Sequence, residues 1–190
     1  MKKIILKTAL ITLGSVIALL ALAFGIASLA FPKNMSKICE DMGNYRFAAS
    51  YAERQYDYTG STDDLYRCAD LYIRIGDRVN TVKYCEKLVT KQDFKEKVGG
   101  KVQYIYGNYA TALYLSGNGD KAVEIAEKSV EDGFCIPNAY AALTIEAVEK
   151  GDKEFGKKLL TSFLKIEAPE DGDLLKYYNA VKNNLEDLEG

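Results

Sequence analysis

The sequence predicts an all-α protein: one N-terminal transmembrane helix, then an α-solenoid of about four helical hairpins, then a capping helix. Three observations predict it. A run from Thr8 to Phe31 carries no charged residue. Four Gly-Asn or Gly-Asp pairs, at Gly43, Gly76, Gly117 and Gly151, recur at intervals of 33, 41 and 34 residues. The flanks of those pairs repeat the same side-chain types at fixed offsets.

The apolar run comes first. Its 24 residues would make about 36 Å of helix, enough to cross a ~30 Å hydrocarbon core with some tilt. Lys2, Lys3 and Lys7 precede it in a basic tail, residues 1–7, and Pro32 closes it. A cleaved signal peptide is the competing reading, because Ala21-Leu22-Ala23 and Ser28-Leu29-Ala30 both fit a small-residue cleavage site. Against it, a signal's apolar region is typically ~7–15 residues long. The expected arrangement is a single-pass cell-membrane protein, tail in the cytoplasm and domain outside, because the short basic tail favours the cytoplasmic side. Within the span Gly14, Ala18, Ala21, Gly25 and Ser28 fall on one helical face. Such a small-residue seam lets two membrane helices approach closely, so a homodimer is a possible consequence.

The hairpins are read from the glycines outward. Glycine adopts a left-handed turn without steric cost, and the Asn or Asp after it caps the next helix. Seven residues before each glycine stands a small side chain (Ser36, Ala69, Ala110, Thr144), and five after it another (Ala48, Thr81, Ala122, Gly156). Small residues on both arms let paired helices approach. Leu65, Tyr106 and Tyr140 lie eleven before the last three glycines, Cys68, Tyr109 and Leu143 eight before, and Tyr72, Leu113 and Ala147 four before. That spacing makes an apolar stripe on each first helix. Tyr84, Cys85 and Leu88, then Ile125 and Ala126, then Leu159, Leu160 and Phe163 continue it on the second helices.

A helix–turn–helix unit repeating near 34 residues with this pattern resembles the tetratricopeptide repeat (TPR) family. The passage from Asn118 to Lys128 looks most like that family's second helix, and Asp64 to Tyr72 like its first. The resemblance covers 33–167, and it implies a TPR-like superhelix with a concave, ligand-binding face. Departures are visible. The chain has no tryptophan, and the helix-ending proline is absent except near Pro169. The first unit is squeezed between Pro32 and Met42. Seven extra residues in the stretch from Thr90 to Lys101, which includes Gly99-Gly100, read as an elongated helix end or a flexible joint. Residues 171–188 carry Leu174, Tyr177, Ala180, Val181, Leu185 and Leu188 at helical spacing, as expected of a solenoid's capping helix.

Composition then limits the chemistry. The 25 basic and 27 acidic residues give a charge of −2, and without the three tail lysines 22 against 27 leave −5. That argues against nucleic-acid binding. With no histidine, His-based triads and the usual zinc-hydrolase ligand sets are excluded. Gly99-Gly100-Lys101-Val102 is no phosphate loop, and no G-x-S-x-G elbow occurs. Asp63-Asp64 follow Ser61-Thr62 at a predicted helix start, where acids suit the helix dipole. No cofactor, metal site or catalytic residue is expected, and the chain is read as a non-enzyme. Cys39, Cys68, Cys85 and Cys135 lack CxxC spacing. They read as buried small side chains, with a Cys68–Cys85 disulfide the alternative for an outward-facing domain.

By analogy with the family, the concave face would carry Asp63, Tyr66, Asp70, Arg74, Tyr104, Thr111, Tyr114, Asn138 and Glu149, with Gly107 and Ala141 leaving room. The family's Lys/Asn carboxylate clamp is not recognisable. The expected function is a membrane-anchored adaptor holding a peptide, a helix or an unfolded protein segment, in secretion or envelope assembly. The alternative is a structural protein that associates with itself through the seam and the repeat domain.

Overall fold

The computed structural model describes residues 2–133, 138–170 and 172–189, and every regular element among them is helical. Helix α1 (Lys2–Ala30) contains a 21-residue stretch, Leu10–Ala30, long and apolar enough to cross a membrane, with none of it buried against the rest of the chain. The Thr12 and Ser15 hydroxyls donate back to the carbonyls of Thr8 and Ile11 at 3.0 Å, so these polar side chains are satisfied within the helix.

Four hairpins follow among the described residues: α2 (Pro32–Asp41) with α3 (Tyr45–Thr59), α4 (Thr62–Ile75) with α5 (Arg78–Val89), α7 (Val102–Leu115) with α8 (Gly119–Glu131), and α9 (Asn138–Lys150) with α10 (Lys153–Phe163). Between hairpins, α3 packs on α4, α5 on α7 and α7 on α9, and α11 (Gly172–Glu189) closes against α9 and α10. The Gly76 turn shows why the glycine–Asx pairs punctuate the chain. Gly76 has φ +72°, the Asp77 N–H returns to the Tyr72 carbonyl at 3.1 Å, and the Asp77 carboxylate accepts from the Asn80 N–H at 3.1 Å. Asn44 and Asp152 cap α3 and α10 in the same way.

The repeated positions build the core. Ser36, Ala48, Ala69, Thr81, Ala110, Ala122 and Thr144 are all at most 3% exposed, and the apolar stripes of α4, α5, α7, α8, α9 and α10 are buried with them. In the first hairpin the small pair touches directly, the Ser36 hydroxyl donating to the Ala48 carbonyl at 2.8 Å. Gly156 is small for a further reason. A Cβ there would stand 2.6 Å from Leu188 Cδ2, so α11 takes the space a side chain would need.

The insertion differs from the expectation. It forms a short helix α6 (Phe94–Val98) and a 3-10 turn (Gly99–Lys101), neither an extension of α5 nor an unpacked joint. Phe94 and Val98, four residues apart, share a buried face, and the Phe94 ring meets Tyr106 edge-on at 5.7 Å. The Thr62 hydroxyl donates to Asp93 at 2.6 Å, fastening the insertion to the start of α4.

Candidate functional site

The first-helix face separates into parts. Tyr66, Asp70 and Arg74 rise along α4, and Tyr104 approaches them from α7: burial, then the Asp70 carboxylate, pushes the Tyr104 phenol above its ordinary value. The Tyr66 hydroxyl is covered and makes no hydrogen bond of good geometry; its polar neighbour is the Lys101 ammonium, 5.7 Å from the ring centre and raised above its ordinary value by the phenol. This half-buried cluster is the one group of expected site residues that the fold brings together.

Its charges are already engaged. Arg74 pairs with Asp70 and with Glu40 of α2, each at 3.0 Å. Glu40 also takes Arg67 at 2.8 Å, and Arg67 donates to the Ser36 hydroxyl at 3.0 Å. The chain of contacts stitches α2 to α4, so Asp70 and Arg74 serve the fold as well as the surface.

Tyr114 must be reassigned. It is 7% exposed, its ring stacks on Phe155 with centroids 4.2 Å apart, and its hydroxyl donates to Asp152 at 2.9 Å. It packs the third hairpin against the fourth and does not line an open face. Gly107 also differs from the expectation, being buried under the start of α9: a Cβ would meet Asn138 at 3.7 Å. Asn138 itself is exposed and its N–H donates to Gln103 at 3.3 Å. Asp63 and Glu149 are exposed on separate helices. Thr111 helps line a cleft of about 250 Å³ with Ile73, Thr81, Asn108 and Leu115. The expected residues therefore do not form one continuous groove.

Cys68 and Cys85 are free and fully buried, the arrangement of the default reading, buried small side chains, with the bridge as its alternative. Their surroundings differ. The Cys68 thiol is raised to about 12 by burial and then by the carboxylates of Glu53, Asp64 and Asp57, whereas Cys85 lies within electrostatic reach of Tyr104 and Tyr109 on α7. Each thiol serves a different helix contact. Cys135 lies outside the described residues. Among the described residues no group of three potential metal ligands gathers.

Two features went unnoticed in the sequence. Glu53 accepts from the Tyr84 hydroxyl, and the Tyr72 and Tyr84 rings stack 5.4 Å apart at 5°. Burial and that carboxylate push both phenols well up. The second feature lies at the end of α1. Gly14, Ala18 and Ala21 are exposed, but Gly25 and Ser28 are half-covered, and the Ser28 carbonyl accepts from Arg54 of α3 at 3.0 Å. The upper end of the small-residue seam meets the chain's own domain.

With this geometry in view, the chain matches no known protein-family model, and no curated protein matches it.

Proposed function

We propose that this is a membrane-tethered, TPR-type adaptor that binds a segment of another protein on the α4–α7 face, with its N-terminal tail in the cytoplasm and its repeats outside. The observation that carries the reading is the meeting of Tyr66, Asp70, Arg74 and Tyr104 on adjacent hairpins, behind a helix apolar enough to span a bilayer. Tyrosine and arginine are enriched at binding hot spots because a rigid ring with a polar tip contributes much contact area at little entropic cost. The uncovered part of the seam, Gly14, Ala18 and Ala21, supports a second reading in which the partner is another copy of the chain.

A photocrosslinking residue placed at Tyr104 in intact cells tests both. A discrete adduct with another protein, lost in Tyr66→Ala and absent when the probe sits at Glu149, supports the adaptor. An adduct of the chain with itself supports self-association, and no adduct at Tyr104 refutes the face. In spheroplasts, added protease removes the repeat domain if it faces outward, and protection of the domain reverses the topology.

A further inference from the structure

We infer that the outer strip of α3, formed by Tyr51, Arg54 and Tyr58, lies in the interfacial layer of the bilayer, so that the hairpin domain rests on the membrane in a fixed orientation. This rests on the reading of α1 as a span.

The argument starts from one carbonyl. In a continuous helix the Ser28 carbonyl would accept from the N–H four residues on, but that residue is Pro32, which has none. The preceding carbonyl keeps its normal partner, the Phe31 N–H returning to Ala27 at 2.9 Å. A backbone carbonyl left unpaired near the hydrocarbon edge is costly. Arg54 supplies the missing donor at 3.0 Å. Three residues of the span, Gly25, Ala27 and Ser28, are half-covered where this contact forms.

That contact sets the depth of α3. Because Ser28 lies three residues before the end of the uncharged run, Arg54 sits at the boundary of the hydrocarbon. Helix α3 runs antiparallel to α2 and continues to Thr59, carrying Tyr58 about 6 Å further along its axis on the membrane side of Arg54, just within the acyl-chain edge of the interfacial layer, since each residue adds about 1.5 Å. Tyr51, Arg54 and Tyr58 share one face by their three- and four-residue steps. The Arg54 guanidinium lies 5.8 Å from the Tyr51 ring centre, and Tyr58 is 70% exposed. Tyrosine rings straddling the boundary between headgroups and acyl chains, with an arginine reaching along them, are the arrangement that anchors protein at a membrane–water interface. The same end carries both signs of charge: Lys91 donates to the Gly60 carbonyl at 3.3 Å and Lys87 stands 5.9 Å from the Tyr56 ring centre, with Asp57 and Asp63 exposed beside them. The occupant of this strip is the bilayer, because the strip is continuous with the end of the span.

The chain contains no tryptophan, so a single introduced indole is its only one. The full chain is reconstituted in phosphatidylcholine vesicles, with lipid brominated either near the headgroup end or near the methyl end of its acyl chains. Tyr58→Trp should be blue-shifted and lose emission mainly to the shallow bromines. Leu19→Trp, in the middle of the span, should be quenched by the deep ones. Val79→Trp, exposed at the start of α5, should be quenched by neither. If Leu19→Trp is quenched but Tyr58→Trp responds no more than Val79→Trp, the domain does not rest on the bilayer and the inference fails alone. Quenching at Val79 as well overturns the fixed orientation. An unquenched Leu19→Trp removes the span, and the inference with it.

Discussion

Replacing Tyr114 separates a packing residue from a surface one. In the structure the ring is stacked on Phe155 at 4.2 Å, the hydroxyl reaches Asp152 at 2.9 Å, and the Lys150 ammonium stands 4.4 Å from the ring centre. Truncating so buried an aromatic costs about 3–5 kcal/mol. In a domain of this size each kcal/mol lowers the melting temperature by roughly 2–4 °C, so Tyr114→Ala should melt on the order of 10 °C early. Tyr114→Phe keeps the stack and loses only the hydrogen bond to a partly solvated carboxylate, about 1–2 kcal/mol. Tyr66 gives the contrast. Its ring is half-buried and its polar neighbour is the solvated Lys101 ammonium, so Tyr66→Ala should cost about 1–1.5 kcal/mol, chiefly from lost burial. Circular dichroism melts of the full chain in detergent read all three. A Tyr114→Ala melt within a degree or two of the parent would refute the hairpin-to-hairpin stack. A Tyr66→Ala melt as low as that expected for Tyr114→Ala would remove Tyr66 from the surface cluster.

The fold should lose stability at both ends of the pH scale. Asp77, held by Asn80, Glu127, held by Lys165 and Ser162, and Asp132, held despite its burial by Lys95 and Tyr106, all titrate below their ordinary values of 3.8, 4.5 and 3.8. Depressed acids stabilise the fold above those values, and that contribution is lost as pH falls through the lower folded-state values; Asp132→Asn should flatten the acid limb. Tyr72, Tyr84, Tyr106 and Tyr109 are raised above 10.0, chiefly by burial, so their contribution is whole below pH 10 and disappears as pH climbs past it. A melting temperature that rises on acidification would contradict the three carboxylate contacts. The cysteines give a separate check: Cys68 and Cys85, their thiols pushed up to about 12, should resist alkylation in the native chain while half-buried Cys39 reacts. Recovery of a Cys68–Cys85 bridged peptide would overturn the core described for the second hairpin.

The parts of the fold that could be read in advance are those in which one residue's requirement is local. A turn with positive φ at Gly76 needs glycine, and two helices crossing at Ser36 and Ala48 need small side chains, so both leave marks at fixed offsets. Tyr114 could not be placed that way. Helical spacing puts it on the outer part of α7, but whether it meets solvent or Phe155, 41 residues on, depends on the rotation between hairpins. The same holds for Gly156, whose small size answers to Leu188 of α11, and for Arg74, which pairs with Asp70 of its own helix but also with Glu40 of another unit. The contact that fixes α3 against α1 is different, because half of it was legible. Pro32 has no N–H, so the carbonyl of Ser28 had to find a donor outside its own helix. What the sequence withheld was only which donor. The hairpin brings Arg54 back to that level because α3 runs antiparallel to α2, with Ala48 opposite Ser36. The arginine that completes the end of α1 is therefore set by the first hairpin's own register, and changing the length of either α2 or α3 would take Arg54 away from Ser28.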